Sequence, residues 1–155
     1  MYDIRDFIKA IEEIVASHQL AKIGAYRRWI TQNPENSRDM GLNPYGCADA
    51  ANILYTIGKF PRDHNERKAW VSTLQRMQES KTGLFRESTK VSWGRHVEIH
   101  TTAHCIAALE LFDALPRYPL IALSQYKKPE AMENFLDQLD WKHNPWGDSH
   151  RGAGL

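Results

Sequence analysis

Apolar residues recur along this chain in two helical patterns. In the first, they lie three and four positions apart with polar residues between them, which predicts amphipathic helices with one buried face. This pattern covers three segments: Asp3–Ser17, Asp63–Met77 and Pro129–Leu139. In the second, apolar residues occur on nearly every side, which predicts helices covered all round by protein. It covers Tyr45–Gly58 and Ile99–Pro116, and Pro116 is expected to end the later helix.

The segments between these helices are polar or irregular in pattern. Clusters of Asn, Pro, Ser and Gly, or the lack of any periodicity, predict loops there. Four such segments are predicted: Gln32–Pro44, the stretch from Arg86 to about Glu98, Arg117–Lys128 and Trp141–Ser149. Asp3 and Asp63 each precede a predicted helix, and their carboxylates are expected to cap it.

The order of amphipathic helix, turn, loop and apolar helix occurs twice. In Gln19–Tyr26 and again in Gln78–Phe85, a Gln is followed by a Gly five positions later and an aromatic residue seven positions later. The two glycines, 24 and 83, lie 59 positions apart, and the prolines after the apolar helices, 61 and 116, lie 55 apart. A third unit starts at Pro129 and is cut short. Because such hairpins bury both faces only by stacking, we predict an all-α fold of repeated helical hairpins in two layers.

This repeat resembles that of the terpenoid cyclase and protein prenyltransferase superfamily, in which a Gln near the end of the outer helix precedes a Gly and an aromatic residue. The resemblance is carried by Gln78, Gly83 and Phe85, and more weakly by Gln19, Gly24 and Tyr26. It implies a partial α/α toroid with the apolar helices inside, whereas an open two-layer solenoid is the alternative. No catalytic residue is carried over. The chain has no Asp-rich motif of the class II cyclase kind, and Cys47, Asp49 and His104 do not follow the order or spacing of the prenyltransferase zinc ligands.

Composition adds limits on partners and location. The 155 residues are 42% hydrophobic and 25% charged with a net charge of +1, which favours one domain over residues 1–155 and indicates neither a nucleic-acid nor a membrane partner. Cys47 and Cys105 lie in the two apolar helices and are predicted to be reduced packing residues, which favours a cytoplasmic location. The chain stops as a further apolar helix begins. We therefore expect a longer natural protein, or self-association through the open end.

Superposing the repeats aligns polar residues near the starts of the apolar helices. Tyr45, His100 and His150 share one position, and Asp49 and His104 share another, one turn deeper. In a toroid these positions would face one end of a central cavity, where an Asp and a His on neighbouring helices could form an acid–base pair. We therefore predict Asp49, His104, His100 and Tyr45 as catalytic residues. The alternative is that Asp49 and His104 bind each other and only specify packing.

A metal site is a further reading of the same residues. His100 and His104 lie four positions apart and suit zinc, but a tetrahedral site needs a third ligand, for which Asp49 or Cys47 is the candidate. We predict no cofactor and no metal ligand, with zinc as the alternative. Cys105 is not predicted to be a nucleophile, because the adjacent His104 points in another direction on the helix and could not readily serve as its base.

Aromatic residues gather in or beside the loops that lead to the apolar helices. Flat rings at a cavity mouth suit the apolar faces of a sugar or an isoprenoid, and charged neighbours could add hydrogen bonds. Five substrate-binding residues are predicted: Trp93, Trp146, Arg86, Glu98 and His150. A packing role remains equally open for the two tryptophans. Tyr26 and Phe85 are instead predicted to lock each outer helix to its loop.

Three functions are compatible with these patterns, and the sequence leaves open whether the protein is an enzyme. The first is a cavity enzyme that acts on a carbohydrate as a hydrolase or lyase by acid–base catalysis; a hydrolase would need Glu98 or Asp148 as a second carboxylate beside Asp49. The second is a non-catalytic module that binds a peptide or partner protein. The third is an isoprenoid-handling protein with an apolar cavity and a metal. For the enzyme, we expect a small-molecule or glycan ligand in the cavity.

Overall fold

A computed structural model describes residues 3–31, 40–87 and 95–155, with the backbone alone described for residues 95–97. Within these ranges the protein is all-α. Its six α-helices are α1 Arg5–His18, α2 Pro44–Thr56, α3 His64–Arg76, α4 Arg95–Glu110, α5 Pro129–Asp137 and α6 Pro145–Ala153. A 3₁₀ helix, Ile121–Lys127, lies in the segment predicted to be irregular. In the described part of the chain, none of these helices combines the length and apolar character needed to cross a membrane.

Local sequence sets most of the helix starts. The Asn43 side chain accepts a hydrogen bond from the backbone N–H of Gly46 at 2.9 Å and so caps α2. Asp63 caps α3 as predicted, by accepting from two backbone N–H groups of the first turn. The predicted cap by Asp3 is wrong, because Ile4 occupies the cap position and the Asp3 carboxylate binds Arg5 instead.

Three of the predicted boundaries are also wrong. The helix predicted over Ile99–Pro116 is α4, which begins at Arg95, inside the predicted loop, and ends at Glu110. The chain leaves the helix there because Asp113 adopts a left-handed conformation, with φ of 57°, and the backbone N–H of Ala114 turns back to Leu109 O at 3.1 Å. The predicted loop Trp141–Ser149 is helical from Pro145 onward, since proline is well suited to the first turn of a helix.

Helix α2 packs along α4, and α4 packs along α6; these three are called the inner helices below. Helices α1 and α3, called the outer helices, both pack on α2, and α3 also packs on α4. The inner helices contribute mainly small buried residues to the core and the outer elements contribute large ones; the fully buried members include Cys47, Ala48, Ala51, Cys105, Ala108, Leu109, Trp70, Leu74 and Phe85. The prediction that the inner helices are covered all round is wrong for their C-terminal halves, where Ile53 and Ala107 are exposed.

The repeat seen in the sequence is a structural unit. Gln19 pairs with Tyr26, and Gln78 with Phe85, in matching antiparallel backbone bridges. Each turn needs a glycine because its φ is positive, 73° at Gly24 and 78° at Gly83. At Gly83 an added Cβ would also lie 2.1 Å from the carbonyl oxygen of Pro119, so the next connection passes directly over the turn.

Each turn is attached to its inner helix at an equivalent position. The backbone N–H of Tyr26 donates to Cys47 Sγ at 3.3 Å, and the N–H of Phe85 donates to Thr102 Oγ1 at 2.9 Å. Both aromatic side chains are buried, and the Tyr26 ring stacks on Trp70 with centroids 5.1 Å apart. The prediction that Tyr26 and Phe85 lock the outer helix to the loop is therefore confirmed. This attachment fixes how the N-terminal halves of α2 and α4 are presented.

Candidate functional site

Equivalent positions of the two repeats meet where α2 and α4 run side by side. His104 Nε2 lies 2.7 Å from Asp49 Oδ1, and the two residues are 55 positions apart. One turn earlier, the Tyr45 hydroxyl lies 3.0 Å from His100 Nε2, again with a separation of 55 positions. The structure thus brings together all four residues predicted to be catalytic.

The Asp49–His104 pair is hydrogen-bonded yet open. Its side chains are 44% and 27% exposed, respectively, so a substrate could reach both. A carboxylate that binds Nε2 holds the proton on that nitrogen and leaves Nδ1 as a proton acceptor. The pair is therefore built like a histidine base oriented by an aspartate.

Tyr45 lies between the two histidines. Its ring centroid is 4.7 Å from that of His104 and 5.8 Å from that of His100. Burial raises the pKa of Tyr45 above its ordinary value, and the nearby Asp49 carboxylate raises it further. The phenol is consequently protonated at neutral pH and can donate a proton.

Aromatic contacts extend this group from α4 to α6. The rings of His100 and His150 meet edge to face with centroids 5.0 Å apart, and His150 meets Trp146 in the same way at 4.9 Å. Burial lowers the pKa of His100 below its ordinary value, and the neighbouring His150 and His104 lower it further. A neutral His100 ring is therefore favoured at pH 7, which suits its hydrogen bond to Tyr45. Trp146 is 78% exposed and presents a flat surface beside this row of rings.

Two charged residues that the sequence reading missed complete the site. Arg28 Nη1 lies 2.5 Å from Glu87 Oε1, and the Arg28 guanidinium lies over the Tyr45 ring, 4.4 Å from its centroid. The Glu87 side chain is only 3% exposed. Burial raises the pKa of Glu87, although the positive charge of Arg28 opposes this. The signal was available, since Arg28 and Glu87 each follow the glycine of their own repeat by four positions.

The remaining predicted substrate-binding residues form ion pairs with residues other than those of the site or lie outside the described residues. Trp93 falls among the residues that are not described. Arg86 and Glu98 bind each other, with Nε and Oε1 3.1 Å apart, and Arg86 also binds Glu79. Asp148 accepts from the backbone N–H of Asp140 at 2.8 Å and so closes the connection that precedes α6. Glu98 and Asp148 therefore both bind residues other than Asp49.

Metal ligation and thiol chemistry are the other candidate chemistries of these residues. Among residues 3–31, 40–87 and 98–155, whose side chains the structure describes, no group of three or more His, Cys, Asp or Glu is arranged to hold a metal ion. Both cysteines are free and buried, as predicted. Burial raises the pKa of Cys47 to about 11 and that of Cys105 well above its ordinary value, so neither is a ready nucleophile.

A cleft of about 130 Å³ reaches Asp49 from the side of α1. Its lining residues are Ile14, Val15, His18, Tyr26, Arg27, Arg28, Gly46, Asp49, Ala50 and Ile53. The expectation was a cavity that holds both Asp49 and His104. The cleft has Asp49 in its wall, but His104 is not among its lining residues.

Taken together, the site offers a histidine oriented by an aspartate, a protonated phenol, a row of aromatic rings and a buried ion pair. These groups can accept and donate protons at an exposed surface, which is the minimum that acid–base chemistry requires. Comparison of the chain with known protein families, with curated proteins and with solved structures gives no match.

Proposed function

We propose that this protein is an acid–base enzyme that acts on a carbohydrate, and that elimination is its reaction rather than hydrolysis. The observation that carries the proposal is the 2.7 Å contact between Asp49 and His104, which is open to solvent and lies against Tyr45. A purely structural polar pair in a helical core would be expected to be covered, whereas these two side chains are partly exposed.

The carboxylates near the site favour elimination over hydrolysis. Hydrolysis of a glycosidic bond normally uses two carboxyl groups on opposite sides of that bond. Here Asp49 is engaged with His104, and Glu87 is buried against Arg28. Elimination needs instead one base and one acid, which His104 and Tyr45 are suited to provide.

The step applies to a sugar that carries a carboxylate next to the carbon that loses a proton. His104 Nδ1 takes that proton, the bond to the leaving glycosidic oxygen breaks, and a carbon–carbon double bond forms. The Tyr45 hydroxyl gives its proton to the leaving oxygen, so the products are an unsaturated sugar and a free hydroxyl.

Trp146 supports a carbohydrate as the substrate. Its indole is mostly exposed and lies next to His150, which continues the row of rings from His100. Exposed flat rings beside polar groups suit the apolar faces of sugars. An isoprenoid would need an apolar lining, and the described residues of the site are mainly polar or charged.

The arrangement of the inner helices also fits the α/α toroid that the resemblance implies. In an α/α toroid, equivalent positions of successive inner helices lie next to one another around a common axis. Tyr45, His100 and His150 follow one another in this way from α2 to α4 to α6. We propose that the three inner helices are an arc of such a toroid.

The experiment is an activity screen with uronate-containing and neutral polysaccharides. Elimination produces an unsaturated product that absorbs in the ultraviolet, whereas hydrolysis produces reducing ends without that absorbance. We expect ultraviolet-absorbing product with at least one uronate polymer, a strong loss in Asp49→Asn, and no loss in the exposed control Asp137→Asn. Reducing ends without absorbance would overturn elimination, and binding of polysaccharides with no turnover would favour the binding-module alternative.

A further inference from the structure

The cleft between α1 and α2 has one apolar side and one cationic side. Its apolar lining comes from both helices, and the segment Tyr26–Arg28 supplies two arginines, with His18 beside them. The part of α2 that lines it is one continuous stripe, at positions 46, 49, 50 and 53. From this lining, we propose that the cleft, which shares Asp49 and Arg28 with the site described above, binds a small carboxylate with an apolar body.

One of the two arginines in this cleft lacks an ion-pair partner, although Asp49 also lines the cleft. Arg28 is paired with the buried carboxylate of Glu87. Arg27, in contrast, makes no ion pair with any described residue; its Nη2 donates to the backbone carbonyl of Ser17 at 2.8 Å, and its Nε is buried without a partner. Partial burial of a cation without a counterion costs free energy, and a bound carboxylate would offset that cost.

Backbone packing fixes the wall of the cleft at Gly46. A Cβ added to Gly46 would lie 2.8 Å from both the carbonyl carbon and the carbonyl oxygen of Arg27, so α2 and the Tyr26–Arg28 segment touch at this point. The cleft beside this contact is present without a ligand, as is usual for small-molecule sites.

Size limits the ligand. The cleft volume of about 130 Å³ is close to the roughly 150 Å³ of an apolar cavity that accommodates benzene. One six-membered ring or a short branched chain would fill it. Because Asp49 also lines the cleft, like-charge repulsion directs the ligand carboxylate toward Arg27 and away from Asp49.

The test is an NMR titration of the full chain with benzoate as the probe. We expect saturable shifts of the backbone amides of Gly46, Ala50 and Ile53. Benzyl alcohol, which lacks the charge, and acetate, which lacks the ring, should each bind at least about tenfold more weakly, equivalent to about 1.4 kcal/mol. Equal binding of all three probes, or no saturable shift with benzoate, would overturn the proposal.

Two variants locate the site. Arg27→Gln removes the unpaired cation, and Ile53→Glu places a negative charge on the exposed apolar side of the cleft. Each should weaken benzoate binding about tenfold or more, whereas Ile23→Glu, at another exposed isoleucine outside the lining, should not. If Arg27→Gln fails to fold, Ile53→Glu still decides the outcome, because its side chain is partly exposed to solvent and can carry a charge there. Unchanged affinity in Ile53→Glu would place binding elsewhere and overturn the proposal.

Discussion

Arg28 and Glu87 occupy the same position in two successive repeats, and their side chains bind each other at 2.5 Å. The pairs Tyr45–His100 and Asp49–His104 follow the same rule on the inner helices. Side chains at equivalent positions of neighbouring repeats therefore contact each other. Because the two repeats carry different residues at these positions, the groups that meet are complementary.

The buried carboxyl of Glu87 predicts a pH-dependent contribution to stability. Because burial raises the pKa of Glu87 in the folded state, the folded protein holds this proton more tightly than the unfolded chain. Stability contributed by Glu87 is therefore greatest at low pH and falls as the pH rises through its folded pKa. We expect the free energy of unfolding of the wild type, relative to Glu87→Gln, to decline in urea denaturation as the pH rises above the ordinary pKa of a glutamate. A relative stability that rises over this interval would mean that Arg28 outweighs burial.

The close approach of Pro119 to Gly83 predicts that one added methyl group at Gly83 lowers stability strongly. Gly83→Ala would force a side chain into a positive φ and against Pro119 O, whereas Gly58→Ala meets only the positive φ, because nothing lies within 4 Å of its Cβ. We expect Gly58→Ala to lose about 1–2 kcal/mol of unfolding free energy and Gly83→Ala clearly more. Equal losses by chemical denaturation would show that the connection over the turn can move aside.

The Gln78 side chain predicts a structural role for the repeat glutamine. Its amide donates to the carbonyls of Gly83 and Tyr118 at 2.8 Å each and accepts from the N–H of Tyr118. Gln78→Leu would leave these buried groups unpaired, so we expect a loss of about 1–3 kcal/mol. Gln75→Leu removes a single exposed hydrogen bond to Leu115 and is the matched control. A control that loses as much as Gln78→Leu would contradict this role.

The exposed apolar face of α1 predicts self-association. Ile4, Phe7 and Ile14 lie on one stripe of this helix and are all exposed. We expect sedimentation velocity to detect concentration-dependent association, because contiguous apolar surface favours contact between copies. Phe7→Glu should weaken this association. Leu115→Glu, at an exposed apolar residue outside α1, should not. A single monomeric species at all concentrations would exclude this prediction.

The repeat explains what the sequence could and could not predict. The Gln–Gly–aromatic spacing predicted the turns, and a constant offset of 55 predicted which inner-helix residues would meet. Arg28 and Glu87 lie beyond the aromatic residue that ends the Gln–Gly–aromatic pattern, so this pattern does not predict them, although the offset of 59 between the glycines pairs them. The end of α4 at Glu110 was missed because Pro116 is the visible stop signal, whereas the left-handed Asp113 that turns the chain has no strong sequence signature.

The most direct test of the proposed chemistry is a double-mutant cycle on Asp49 and His104, with the rate of unsaturated product formation as the readout. If the two side chains act as one base, Asp49→Asn and His104→Gln should each lower kcat by about 10²- to 10⁴-fold, and the double variant should lose little more than the worse single one. His64→Gln, at an exposed histidine of α3, should retain full activity. Independent, multiplying losses in the double variant, or unchanged turnover in either single variant, would contradict the proposal.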